Sequence, residues 1–270
     1  MVLMTRANPR KDLSKVKRIV VKVGTSSLTD KRSRLDPRKI GKLVEETMRL
    51  RARGKEIIIV SSGAIGAGIG CLNLERRPKK MPSLQAAAAV GQGILIQLYS
   101  KYFGDYGQPV AQMLLTGEDF ADSKRYLNFR NAMAIVLKWG VVPIVNENDS
   151  VEVEEIRLGD NDTLSAHVAV GSSADLLIIL SDVDGFYKGS TRKRRNLIST
   201  VERVTRDIER LASRNFRGVG GMRTKIKAAK MVTKAGIPVV IANSGEKNVL
   251  SRIVEGEEIG TLFLSERSKR

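Results

Sequence analysis

Two segments of the chain, Glu56-Ile57-Ile58-Ile59-Val60 and Leu176-Leu177-Ile178-Ile179-Leu180, are apolar at nearly every position and rich in β-branched side chains. A strand with one wet face alternates apolar and polar residues, whereas a strand that is apolar throughout has to be covered on both faces. Further strand-like runs occur over 18–23, 109–115, 141–145, 238–241 and near 261–264. Between them lie segments with helical patterning: about 36–53, opened by Asp36-Pro37 and closed by Gly54, then about 82–103, 123–139, a helix starting near Asn161, 203–213 and 222–235. Proline suits a first helical turn and glycine a helix end. Apolar strands alternating with helices predict the α/β class, with a mainly parallel central sheet. Residues 151–158 alternate polar and apolar and read as a hairpin.

The 270 residues are 42% hydrophobic, 28% charged and 4% aromatic, the balance of a globular rather than a disordered chain. This length admits one α/β domain with two lobes, and we expect the domain over 17–266, with lobes over about 17–174 and 175–266. Residues 1–16 are basic and lack an apolar stretch, so they read as a leader and not as a signal peptide. No apolar run approaches the ~18 residues of a membrane span. The single cysteine, Cys71, forms no disulfide within the chain and is expected to be a small packing residue; a reducing, cytoplasmic setting fits it. The single histidine, His167, falls inside a helical pattern and reads as structural. The formal net charge of +18 suits either nucleic acid phosphates or small anionic substrates. The densest basic run, Arg192 to Arg195, has no interleaved aromatics to stack bases.

Ligands of such sheets gather at strand ends, and five loops there are chemically unusual. Lys22-Val23-Gly24-Thr25-Ser26 ends a strand with a lysine and a glycine. Ser61 to Gly68 is glycine-rich and opens a helix, where backbone N–H groups suit an anion. Its glycine spacing matches neither a dinucleotide fingerprint nor a Walker A loop. Asn146-Glu147-Asn148-Asp149 and Gly159-Asp160-Asn161-Asp162 gather amides and carboxylates that suit a free ammonium group. Gly218 to Lys225 opens a helix with glycines, Thr224 and Lys225, which suits a polyphosphate.

Taken together and in order, these strings resemble the glutamate 5-kinase family of the amino acid kinase superfamily. The likeness covers about residues 17–264 and also includes Gln112-Met113-Leu114-Leu115-Thr116 and Gly159 to Ala166. It implies a three-layer α/β/α sandwich and transfer of the γ-phosphoryl group of ATP, with Mg²⁺, to the side-chain carboxylate of glutamate, the first step of proline synthesis. Lys22 and Lys225 are similar to the lysines that neutralise the moving group, and Asp162 to the aspartate that orients them. Ser62, Gly63, Asn146, Asp149 and Asn161 are expected at the glutamate. Lys22, Gly24, Thr25, Ser181, Asp182, Val219, Gly220, Gly221, Met222, Arg223, Thr224 and Lys225 are expected at the nucleotide. No resident metal site is expected. The resemblance also implies a homo-oligomer and a glutamyl phosphate reductase as partner. Many family members carry a C-terminal PUA domain, and this chain is expected to be a form without one. The alternatives are a kinase acting on acetylglutamate or an aminoadipate derivative, and a basic nucleic-acid-binding protein. Asp149 and Asp160 favour a free amine over a blocked one.

Overall fold

The computed structural model describes residues 9–30, 32–151, 161–189, 196–214 and 221–266. Among the described residues, strands β1 (Arg18–Val23), β2 (Glu56–Ser61), β3 (Val110–Leu115), β4 (Val142–Glu147), β5 (Leu176–Ser181), β6 (Thr200–Val201), β7 (Val239–Asn243) and β8 (Thr261–Phe263) form one sheet. Its order is β3-β4-β2-β1-β5-β7-β8-β6. Every pairing is parallel except β7 with β8. The central strands β1, β2, β4 and β5 are buried almost end to end, as the apolar runs of β2 and β5 require.

Helices cover both faces. They are α1 (Thr25–Leu28), α2 (Pro37–Ala52), α3 (Ala64–Cys71), α4 (Met81–Gly104), α5 (Gly117–Ala121), α6 (Ser123–Lys138), α7 (Asp162–Gly171), α8 (Arg206–Arg214), α9 (Met222–Lys234) and α10 (Val249–Val254). Successive strand side chains point to opposite faces, and β1 shows the result. Ile19 and Val21 pack with Leu43 and Val44 of α2 and with Leu95 and Tyr99 of α4. Val20 packs on the other face with Leu164 of α7 and Ile226 of α9. The same alternation puts Lys22 on the α7–α9 face at the carboxyl end of β1, and Ser61 and Asn146 on the α4 face.

The structure departs from the sequence reading in several places. Pro9–Lys15, within the expected leader, form a 3-10 turn. Its buried Arg10 donates to the carbonyls of Ser199, Glu257, Ile259 and Gly260. Cys71 is exposed, because it ends α3 instead of facing the core. The short elements α1, α5, α10 and β6 carry too few residues to show a period. Most of the expected hairpin over 151–158 and of the basic loop over 188–196 lies outside the described residues.

Candidate active site

The parallel register brings the strand ends level. Val23 pairs with Ser61 and with Leu180, so Gly24, Ser62 and Ser181 leave the sheet side by side. Main-chain bonds tie these exits together: Ser62 N donates to Val23 O at 3.2 Å, and Ser244 N to Ser181 O at 2.8 Å.

Onto this edge α7 and α9 bring their first turns. Asn161 caps α7, its carbonyl accepting Ser165 N at 2.9 Å, and Asp162 follows as the first helical residue. An anionic side chain is favoured there by the helix dipole. Lys22 Nζ lies 2.6 Å from Asp162 Oδ1, and Lys225 Nζ lies 3.0 Å from Asp162 Oδ2. Lys22, Asp162 and Lys225 are 3%, 0% and 6% exposed. Two ammonium groups thus share one carboxylate in a nearly dry place. Removing ions from water is costly unless they are paired and hydrogen-bonded, and here each ammonium group has the Asp162 carboxylate as a partner. Thr224 Oγ1 is 2.9 Å from Asp162 Oδ2 and 2.8 Å from the carbonyl of Gly221. The hydroxyl therefore links the start of α9 to the same carboxylate.

Gly24 sits close by. A Cβ built on it would lie 3.7 Å from Lys22 Nζ, so the bare backbone lets a ligand approach the ammonium group. Thr25 opens α1 behind it, and its carbonyl accepts Thr29 N. Gly221 caps α9, whose leading N–H groups have no intrahelical partners. Met222 is buried in the core cluster of that face. Arg223 is exposed and lines a groove between α8 and α9 with Arg206, Arg210 and Lys227. Asp182 is exposed and accepts a 3.2 Å bond from Ser181 Oγ. Val219 and Gly220 lie outside the described residues, as does Asp160.

A second group of polar residues extends from this centre along the α4 face. Asn161 Nδ2 donates to Ser61 O and to Asn146 Oδ1, both at 2.7 Å. Asn146 Nδ2 donates to Gln92 Oε1 of α4 at 2.8 Å. Ser61 Oγ meets Tyr99 Oη, also of α4, at 2.9 Å. Burial pushes the Tyr99 hydroxyl's pKa up, against a smaller opposing effect of the Ser61 bond, so it stays neutral. Asp149 lies at the far end, lining a cavity of about 300 Å³ with Gln92, Gln112 and Leu114. Sequence reasoning missed Gln92 and Tyr99, which sit in an ordinary helical pattern.

The glycine-rich segment after β2 does something other than cradle an anion along its whole length. Gly63 caps α3 with φ +107°, a left-handed conformation that glycine alone adopts readily. Gly66 and Gly68 instead permit close contacts, since a Cβ on them would lie 2.7 Å from Ser33 O and 1.8 Å from Ala87 O. His167 is half-buried and stacks on Phe120, with ring centroids 4.6 Å apart. Burial chiefly, and Lys227 secondarily, lower its pKa below 6.5. Among the described residues no group of three or more His, Cys, Asp or Glu is placed to hold a metal ion, and no helix is long and apolar enough to cross a membrane.

Comparisons with known proteins agree with this geometry. The amino acid kinase family model matches residues 17–243. The chain is 52% identical over 251 residues to the glutamate 5-kinase of Caldanaerobacter subterraneus subsp. tengcongensis, covering 92% of this chain and 68% of that one. It is 49% identical over 260 residues to the glutamate 5-kinase of Clostridium tetani, covering 95% of this chain and 97% of the relative. Among solved structures, a UMP kinase from Bacillus anthracis superposes with a TM-score of 0.62 at 16% identity, covering 93% of this chain and 97% of that one. At that identity the likeness concerns the fold alone.

Proposed function

The chain belongs to the amino acid kinase family and, within it, to the glutamate 5-kinases, and from that premise we propose that it moves the γ-phosphoryl group of ATP onto the side-chain carboxylate of glutamate. The observation that carries this reading is the buried cluster in which Lys22 and Lys225 share Asp162. The acceptor carboxylate has a reference pKa of about 4.3 and is ionised at neutral pH, so no base has to remove a proton. The barrier is charge repulsion. Two like unit charges about 4 Å apart repel by roughly 4 kcal/mol at an effective dielectric near 20.

In this reading Lys22 and Lys225 offset that repulsion, and Asp162 fixes both ammonium groups in place. The leading N–H groups of α9 and the bare backbone at Gly24 receive phosphate oxygens. A carboxylate oxygen of glutamate forms the new bond to the γ-phosphorus as the bond to the β-phosphate bridging oxygen breaks. The products are glutamyl 5-phosphate and ADP. Mg²⁺ in such sites is held largely by phosphate oxygens and water. The described donor set therefore fits a metal that arrives on the nucleotide, where it would neutralise phosphate charge. Asp149, with the amides of Asn146 and Asn161, would hold the α-ammonium group, and Ser62 and Gly63 would border the acceptor. Ser181 and Asp182 would border the nucleotide. The segments over 17–174 and 175–266 then serve as substrate and nucleotide lobes.

Cytoplasmic residence, a homo-oligomeric state and a place at the start of proline synthesis follow from the same family reading. An acyl phosphate is labile, so a glutamyl phosphate reductase is the natural recipient of the product. The test is ATP turnover with glutamate and hydroxylamine, which traps an acyl phosphate as its hydroxamate, beside acetylglutamate as alternative acceptor. Hydroxamate formation with glutamate is expected. Turnover with acetylglutamate and none with glutamate would overturn the assignment.

A further inference from the structure

The chain of amides beside the lysine cluster has a direction. A side-chain amide has one oxygen that accepts and one nitrogen with two protons to donate. Asn161 uses both protons, one on Ser61 O and one on Asn146 Oδ1. Asn146 accepts at its oxygen and therefore turns its nitrogen outward to Gln92 Oε1. Gln92 is the end of the relay. Its oxygen is occupied, and among the described residues its Nε2 has no hydrogen-bond partner. Gln92 lines the cavity of about 300 Å³ that also holds Asp149 and Gln112. The lining of that cavity thus combines the amides of Gln92 and Gln112 with the carboxylates of Glu147 and Asp149.

Amide donors and a carboxylate lining one cavity are complementary to the two ends of an α-amino acid. We propose that Gln92 is a specificity-determining residue that donates to the α-carboxylate of the acceptor, while Asp149 faces its ammonium group. This rests on the reading of glutamate as acceptor and adds a reason for its orientation. With both α-groups held at the α4 end, the side-chain carboxylate is the one left to reach Lys22 and Lys225. A hydrogen bond to a charged group is the stronger kind, so the amide discriminates between a carboxylate and an uncharged amide at that position.

The test uses the full chain and three variants of one measurement: wild type, Gln92→Glu and Gln92→Leu, each with glutamate and with its α-amide as acceptor. Gln92→Glu keeps an oxygen for Asn146 but presents no donor to the cavity. It is expected to raise the KM for glutamate by about 10- to 100-fold, to leave the KM for ATP unchanged, and to erase the preference for glutamate over the α-amide. Gln92→Leu is expected to raise the glutamate KM similarly, and it keeps the test readable if the new carboxylate disturbs folding, which thermal melting reports. An unaltered glutamate KM, an equal rise for ATP, or an intact preference against the α-amide would overturn the inference while leaving the proposed reaction standing. A wild-type chain that releases no ADP with glutamate would overturn the reaction, and this inference with it.

Discussion

Replacing Asp162 by asparagine changes charge without changing shape, and it isolates what the shared carboxylate contributes. Asp162 is fully buried and contacts two ammonium groups at 2.6 and 3.0 Å. An asparagine oxygen can accept from one lysine, but its nitrogen then points N–H groups at the other. Removing one member of a buried ion pair costs about 3–5 kcal/mol, because the remaining charge is left uncompensated. For a chain of this size such a loss lowers the melting temperature by on the order of 10 °C. Turnover is expected to fall by about 100-fold or more, as when an oriented charge-stabilising group is lost. Anionic nucleotide supplies part of the missing compensation, so a non-hydrolysable ATP analogue should raise the melting temperature of Asp162→Asn more than that of the wild type. Calorimetric melting with and without the analogue, together with coupled ADP release, measures all three effects. If the variant melts near the wild-type temperature and keeps its turnover, the cluster has neither the structural nor the catalytic weight assigned to it.

Three further outcomes are expected. Gly91→Ala gains helix propensity, yet its Cβ would lie 1.8 Å from Ala64 O and 2.4 Å from Gly68 N. Overpacking wins, and urea unfolding should show a net loss on the order of 1–3 kcal/mol; a neutral or stabilised variant would refute the contact. Asp149→Ala should raise the KM for glutamate with little effect on that for ATP, read by titrating each substrate. His167 has its folded pKa lowered below 6.5 by burial, with a smaller effect of Lys227. The unfolded chain therefore binds the proton more readily. The stability it contributes is full above pH 6.5 and is lost as pH falls toward the folded value. Urea midpoints between pH 7.5 and 5.5 should fall less steeply in His167→Phe, and equal slopes would count against this.

The sheet was legible because its strands are buried on both sides. A run such as Leu176 to Leu180 has no wet face to hide its identity, and Asp36-Pro37 marks the start of α2 through chemistry confined to a few neighbouring residues. Lys22, Asp162 and Lys225 could be nominated because each stands where an element meets a loop, and family likeness joined them. Nothing periodic connects positions so far apart in the chain. Gln92 and Tyr99 were invisible for a different reason. Inside α4 they differ from any half-buried helical residue until the helix is laid across the ends of β2 and β4. The packing role of Gly66 and Gly68 was not legible, because small residues after a strand suit an anion and a helix crossing equally well. Arg10 was read as leader because a basic residue near a terminus gives no hint of four carbonyls waiting for it.

The crossing of α3 and α4 has a consequence for how this molecule can diverge. Gly68 and Gly91 meet backbone to backbone, so the height of the next residue, Gln92, above the crevice is set by atoms that every amino acid shares. Substitutions on the outward faces of α4 can accumulate without altering the depth of the cavity beneath. A methyl group added at the crossing itself would lift the helix, and with it the floor of that cavity.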